Sequence, residues 1–141
     1  MKTIALLSLL ALATTPLAAQ KREVIPVPNK PNSPTLSQGI RVGNIVYASG
    51  QLGNRADTTI GGQTKTALEE TKKVFEAAGT NMAHALKCTV FLVDVKDFGG
   101  MNAAYREFFP TNPPARSTVV VAALVVPGAK VEIECLAVMP S

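Results

Sequence analysis

The residues best suited to chemistry in this chain are Arg116 and Glu132, which lie in its last, mainly apolar stretch. Arg116 precedes the apolar run 119–126, and Glu132 lies in a second strand-like run, 130–138. Charged side chains are rarely kept in such surroundings without a partner or a function. The planar guanidinium of arginine grips a carboxylate with two hydrogen bonds. The pattern therefore predicts a small pocket for a carboxylate-bearing molecule, with an acidic group on an adjoining strand.

The elements that would position these residues alternate along the chain. Hydrophobic periodicity predicts the order β-β-α-β-α-β-β. The helix patterns begin near Gln63 and Asp97 and end at Gly79 and Pro110. Helices between strands imply crossover connections, whereas the first and last strand pairs would be hairpins. We therefore expect an α+β fold with a mixed sheet and both helices on one face. The predicted strands cover residues 36–42, 45–49, 86–93, 119–126 and 130–138.

The run 119–126 also bears on oligomeric state. It is apolar at odd and even positions alike, which is typical of a strand that is covered on both faces. If the helices cover only one face, another copy of the protein must cover the other. The run therefore predicts an obligate oligomer.

The N-terminal residues differ in composition from the rest of the 141-residue chain. Lys2 followed by the apolar segment 4–13 is typical of a signal peptide, and we expect cleavage after Ala19, in a segment 1–19. The apolar segment 4–13 is too short for a membrane-spanning helix, because such a helix needs about 20 apolar residues. The mature protein would then be periplasmic or secreted. Residues 20–34 hold four prolines and predict an extended, weakly ordered arm before a single domain at 35–141.

Charge, histidine and cysteine content argue against nucleic-acid and metal binding. The net charge of +4 is spread along the chain without a basic, aromatic-rich stripe, so nucleic-acid binding has little support. One histidine and no Cys-x-x-Cys motif give no metal site. Cys88 and Cys135 would form a disulfide in an oxidising compartment or remain as two buried thiols. Their positions inside apolar strand patterns favour the thiols.

The C-terminal residues resemble a known family. Residues 114–119, Ala122, Leu124 and 131–133 are similar to the C-terminal signature of the Rid (YjgF-type) imine deaminases. The resemblance covers roughly residues 35–139. Further stretches agree in order and spacing: Gln38–Gly39, Gly43–Asn44, Ser49–Gln51, Gln63, Phe75–Gly79, Val90–Phe91, Asp94, Met101–Asn102, Tyr105 and Phe108–Pro110.

This resemblance implies a chorismate-mutase-like fold in which three subunits pack their sheets into a central barrel. Clefts between the subunits would bind small carboxylates. Catalytically active members hydrolyse 2-imino acids to 2-keto acids and ammonia, and they need no cofactor. The implied partners are therefore a small imine or keto acid and two further copies of the chain.

The resemblance also implies roles for individual residues. Arg116 matches the arginine that holds the substrate carboxylate, and its alternative is a salt bridge between subunits. Glu132 matches the acidic residue thought to hold the attacking water, and its alternative is a solvated strand face. Ser49 and Gly50 match positions at a strand end that line the cleft, although a simple strand-to-loop turn explains them nearly as well.

Two further positions match the family's binding residues. Thr118 stands where many active members have cysteine and keeps a hydrogen-bonding group. Asn102 matches a helix position near the subunit contact. Tyr105 also matches, but its place on the apolar helix stripe favours core packing.

One difference from the family suggests an alternative function. Active members typically carry a tyrosine where this chain has Leu36, so a group that closes over the substrate is missing. The alternative function is a non-catalytic trimer in the cell envelope that binds small carboxylates or shields unfolded proteins. A ribonuclease function has little support, because the sequence contains neither a cluster of basic residues nor a pair of histidines.

Overall fold

The structure is a computed structural model that describes residues 20–140. The predicted signal peptide, residues 1–19, lies outside this range. The strands are β1 (Arg22–Val24), β2 (Gly39–Val42), β3 (Ile45–Leu52), β4 (Ala85–Leu92), β5 (Ala115–Val120) and β6 (Val131–Val138), and the helices are α1 (Ile60–Ala78) and α2 (Phe98–Phe108).

The strands form one mixed sheet in the order β1-β2-β3-β6-β4-β5, in which only β4 and β5 run parallel. The predicted α+β class and mixed sheet are confirmed. The predicted hairpin between the last two strands is wrong, because β6 inserts between β3 and β4. Alternate residues of β6 are buried, which suits a strand at the centre of the sheet. As a result, Arg116 and Glu132 do not lie on adjoining strands.

The apolar run 119–126 is only partly a strand. β5 ends at Val120, and the chain then bends and turns until Gly128, which has a φ of 83°. Val125 is 90% exposed, and Val119 and Val120 are also exposed. The predicted strand is therefore wrong over most of its length, because β5 pairs with β4 from Ala115 to Val120 and shares only Val119 and Val120 with the run. Its apolar side chains lie uncovered in the single chain.

Both helices have local reasons to begin or end where they do. The Thr59 side chain accepts a hydrogen bond from the Gly62 N–H at the start of α1, and Gly79 ends the helix in the left-handed region. Asp97, near which the second helix is predicted to begin, occupies the N-cap position of α2, but its side chain makes no capping hydrogen bond. Asp94 instead caps a single 3₁₀ turn, residues 95–97, before α2.

The proline-rich segment is extended, but it is attached to the domain. β1 pairs with β2, and the Ile25 N–H donates to the Gly39 carbonyl at 2.9 Å. Ile25 and Val27 are buried in the same hydrophobic core as the helices. The arm therefore contributes a sixth strand and two core residues.

Cys88 and Cys135 form a disulfide. The preference for two free thiols is wrong, because the two residues lie directly opposite each other on β4 and β6. That pairing joins strands that are not consecutive in the sequence. Within residues 20–140, no helix has the length and apolar character needed to cross a bilayer.

Candidate functional site

Arg116 lies on the helix-covered face of the sheet. It is in register with Cys88, whose side chain is fully buried on that face. Its Nη2 donates to Oδ1 of Asn102 at 2.7 Å. The guanidinium also lies 4.7 Å from the centre of the Tyr105 ring, within the range of a cation–π interaction. Helix α2 therefore holds the guanidinium in place from two sides.

Tyr105 is more than a packing residue. It lies one helical turn from Asn102, is 5% exposed and packs against the Phe109 ring. Its hydroxyl has no hydrogen-bond partner among the described residues. Burial raises the pKa of Tyr105 to about 12, although the nearby Arg116 opposes the shift. The hydroxyl therefore stays protonated at neutral pH and is free to donate.

Thr118 provides a second buried hydroxyl near the guanidinium. It lies two residues beyond Arg116 on β5, on the same face of the sheet. Its Oγ1 is buried and has no partner within residues 20–140. Since buried hydroxyls are nearly always hydrogen-bonded, the unpaired hydroxyl of Tyr105 is a candidate contact for a ligand in the adjoining pocket, which Thr118 does not line.

An open pocket of about 600 Å³ adjoins these residues. Arg116, Asn102 and Tyr105 line it from one side, and prolines and Phe109 make much of the remainder apolar. A small site with an apolar lining and a few polar groups is the usual form of a ligand pocket. The full lining is Asn102, Tyr105, Arg106, Phe109, Pro110, Pro113, Pro114 and Arg116.

Glu132 lies on the opposite face of the sheet. Its neighbours Val131 and Ile133 are buried on the helix side, so the Glu132 side chain faces away from the helices. It makes no hydrogen bond or ion pair with another residue between 20 and 140. Burial raises the pKa of Glu132, and the negative charge of Glu134 on the same face raises it further. The carboxylate is therefore a stronger base than an ordinary glutamate.

Gly50 and Ser49 lie beside Glu132. The pairing of β3 with β6 shifts between Ala48 and Gln51, which places Gly50 against the Glu132 carboxylate. A side chain at residue 50 would collide with that carboxylate. The Ser49 hydroxyl donates to the Ser37 carbonyl at 2.6 Å, so only its oxygen is left to accept a hydrogen bond from a ligand.

The predicted residues thus form two groups that are separate within one chain. Arg116, Asn102 and Thr118 belong to the helix-covered face, and Glu132, Gly50 and Ser49 to the open face. Arg116 is level with Cys88 and Cys135, whereas Glu132 lies three residues further along β6, about 10 Å away along the strand. One small molecule cannot touch both residues in the same protomer.

Two buried glutamines were not singled out as important by sequence reasoning. The Gln63 side chain donates to the carbonyls of Asp57 and Gly128 and accepts from the Lys130 N–H. It therefore links the loop before α1 to the loop before β6. Gln51 accepts a hydrogen bond from Lys30 at 2.5 Å. Both glutamines fall within the stretches that resemble the family, which was the available signal for them, since α1 also buries the polar residues Thr64 and Thr71.

A second pocket, of about 700 Å³, lies between the arm and α1. Of its charged residues, Glu70 pairs with Lys30 at 2.9 Å and with Lys73 at 2.6 Å, and Glu76 lies 4.0 Å from Lys72. None of the predicted site residues lines it, and its charges are already neutralised. The pocket at Arg116 is therefore the better candidate for ligand binding.

Comparison with known proteins identifies the family. The family model described as Endoribonuclease L-PSP matches residues 29–139. This match spans most of the chain and both groups of site residues. The chain belongs to the Rid (YjgF-type) family.

Individual relatives agree with this assignment. The chain is 38% identical over 108 residues to the rat 2-iminobutanoate/2-iminopropanoate deaminase, which covers 72% of this chain and 78% of that protein. It is 36% identical over 126 residues to Reactive Intermediate Deaminase A, chloroplastic, of Arabidopsis thaliana, covering 84% and 67%. The crystal structure of the YjgF gene product from E. coli has a TM-score of 0.76 and 35% identity, covering 84% and 99%. The Rid chain therefore has the chorismate-mutase-like fold of this family.

Leu36 occupies the position at which the resemblance to active family members leads us to expect a tyrosine. It is 47% exposed, and its backbone pairs with Ser33 in a short bridge. Of the nearest hydroxyls in sequence, that of Thr35 lies within 3.3 Å of the Ser33 hydroxyl. Ser37 is half-buried, and its hydroxyl makes no hydrogen bond within residues 20–140.

Proposed function

We propose that this Rid protein is a 2-imino acid deaminase that hydrolyses the C=N bond of small imino acids, giving 2-keto acids and ammonia. The observation that carries the proposal is the Arg116 guanidinium, held by Asn102 and Tyr105 at the edge of an open pocket. Relatives named as 2-iminobutanoate/2-iminopropanoate deaminases support the same activity for the family.

The chemistry divides between the two groups of residues. Arg116 binds the carboxylate of the substrate and leaves the adjacent C=N carbon facing the catalytic groups. Glu132 takes a proton from water as the water oxygen bonds to that carbon, and it passes this proton to the nitrogen to give a carbinolamine. Transfer of the hydroxyl proton to the nitrogen then forms the keto C=O as the C–N bond breaks and ammonia leaves. Bringing water and imine together supplies a proximity contribution as well.

Because the groups lie on opposite faces of one sheet, the proposed site is completed by a second copy. The open face carries Tyr47, Val119 and Leu136 with no helix over it, and in a trimeric barrel this face would be covered. In such a ring, each cleft would combine Arg116 of one subunit with Glu132 of a neighbour.

The first test generates 2-iminopropanoate with an amino-acid oxidase and traps the remaining imine with semicarbazide. The protein should reduce semicarbazone formation, and Arg116→Ala should abolish most of this effect. Loss of imine no faster than in buffer, or equal activity of Arg116→Ala, would contradict the proposal.

The second test concerns the shared site. Arg116→Ala and Glu132→Gln chains, each inactive alone, are unfolded, mixed in equal amounts and refolded together. If clefts combine residues from two subunits, about a quarter of the clefts in a randomly assembled ring carry both native residues. Activity should therefore return in the mixture. No recovery in properly formed trimers would rule out the shared site.

A second candidate function is a non-catalytic trimer that binds small carboxylates, and the exposed Leu36 favours it. This version predicts thermal stabilisation by keto acids without turnover. A Leu36→Tyr variant that gains activity would indicate a binding protein derived from a deaminase. An unchanged melting temperature across a panel of keto acids would contradict ligand binding.

Export from the cytoplasm is part of the proposal. The Cys88–Cys135 disulfide supports an oxidising compartment, and so does the sequence of residues 1–19. The Arabidopsis relative is named as chloroplastic instead. Mass spectrometry of the protein from the periplasm or medium should give an N-terminus close to Gln20 and an intact disulfide.

A further inference from the structure

Arg106 is a second arginine in the pocket at Arg116. Both residues line it, and none of its lining residues is acidic. Arg106 makes no hydrogen bond or ion pair within residues 20–140. Its neighbour in sequence, Glu107, pairs with Lys65 at 2.9 Å and so does not neutralise it. The pocket therefore has two permanent positive charges, of which only one is used by a ligand with a single carboxylate.

The two guanidiniums approach the pocket from adjacent positions. Arg106 follows Asn102 by four residues on α2, so the two lie on the same side of the helix, about 6 Å apart at their Cβ atoms. Arg116 is attached to Asn102 at 2.7 Å. Arg106 thus lines the pocket one helical turn beyond Asn102, the residue that holds the Arg116 guanidinium. This spacing suits a short ligand with an acidic group at each end.

We propose that Arg106 adapts this site to dicarboxylic 2-imino acids, the products of oxidation of acidic amino acids such as aspartate and glutamate. This inference rests on the proposed deaminase function. Arg116 binds the carboxylate next to the imine, and Arg106 binds the distal carboxylate. The reaction is otherwise unchanged: water adds to the C=N carbon, ammonia leaves, and the distal carboxylate takes no part in bond breaking.

The test compares kcat/KM for the imines formed from aspartate and from alanine, each generated by an amino-acid oxidase with semicarbazide trapping. The dicarboxylic imine should be preferred by about fivefold, the upper range for a pair with an exposed arginine. Arg106→Gln should bring the ratio close to one. Lys72→Gln is the matched control, because it removes one positive charge from α1, outside this pocket. Higher salt should also lower the preference.

Binding measurements keep the proposal testable if turnover is absent. Oxaloacetate and pyruvate, the corresponding keto acids, are compared by thermal shift. Oxaloacetate should stabilise the protein more, and Arg106→Gln should remove the difference. A ratio that Arg106→Gln leaves unchanged, in turnover or in binding, overturns this inference alone. Hydrolysis that is insensitive to Arg116→Ala overturns the deaminase proposal instead.

Discussion

On the helix-covered face of the sheet, the Arg116 guanidinium donates to Asn102 and stacks on Tyr105. On the open face, the Glu132 carboxylate has no such partner within the described residues, and its pKa is raised by burial and by Glu134. The guanidinium of Arg116 is thus held in position by residues of its own chain, whereas the carboxylate of Glu132 remains free to accept a proton. This difference agrees with the proposal that the open face meets a second copy of the chain.

Removing the unpaired carboxylate should have the largest effect. Glu132→Gln keeps the size and polarity of the side chain but cannot accept a proton from water. We expect kcat for 2-iminopropanoate to fall by about 100-fold or more, the usual range for a general base. Glu134→Gln, on the same face, is the control and should keep most of the activity. Equal losses in both variants would mean that Glu132 acts only through the charge of the face.

The disulfide contributes to stability on the helix-covered face of the sheet, where it cross-links β4 and β6. Cys88 and Cys135 are 47 residues apart in sequence. Loss of a bridge that closes a loop of this length should lower the free energy of unfolding by about 2–4 kcal/mol. Urea denaturation with and without reductant measures this. A Cys88→Ser/Cys135→Ser double variant that is insensitive to reductant provides the control.

A substitution that loosens the position of Arg116 should raise KM more than it lowers kcat. Asn102→Ala removes the acceptor that positions Arg116. A hydrogen bond to a charged group contributes about 1.5–3 kcal/mol, so we expect KM to rise about tenfold or more, with a smaller change in kcat. Steady-state kinetics measures both. A drop in kcat with KM unchanged would place Asn102 in the chemical step instead.

The acid limb of the pH profile should report Glu132. Only the ionised carboxylate accepts a proton, and its pKa is raised above the ordinary 4.5. Activity should therefore fall with decreasing pH earlier than for an ordinary glutamate. Glu134→Gln removes one cause of the shift and should move this limb to lower pH, while burial keeps part of it. Because the folded pKa is raised, the Glu132 contribution to stability is greatest below pH 4.5 and is lost as pH rises.

The smallest effect is expected at Tyr105. Its buried hydroxyl has no partner, so Tyr105→Phe should leave the stability of the ligand-free protein unchanged or raise it by about 1 kcal/mol. If a ligand uses the hydroxyl, keto acids should stabilise Tyr105→Phe less than the native protein. A large loss of stability would show that the hydroxyl has an unrecognised partner.

Local patterns of the sequence determined both helices, the β2–β3 hairpin and the candidate residues on the last strands. Capping residues and apolar spacing act over a few neighbouring positions, so a single sequence contains them. The same locality explains two wrong predictions. The run 119–126 has the composition of a strand, but its pairing partners decide where the strand ends. The thiol preference failed because β4 and β6 are not consecutive.

The amino-acid sequence alone reveals a cation and a carboxylate in apolar surroundings near the C-terminus. Their location on opposite faces of the sheet follows only from the packing of the strands, in which β6 inserts between β3 and β4. The tertiary structure also brings Arg106, unremarkable in the helix pattern, into the pocket of Arg116. Side-chain direction follows from the residue's own strand or helix, but which side chains meet follows from how these elements pack.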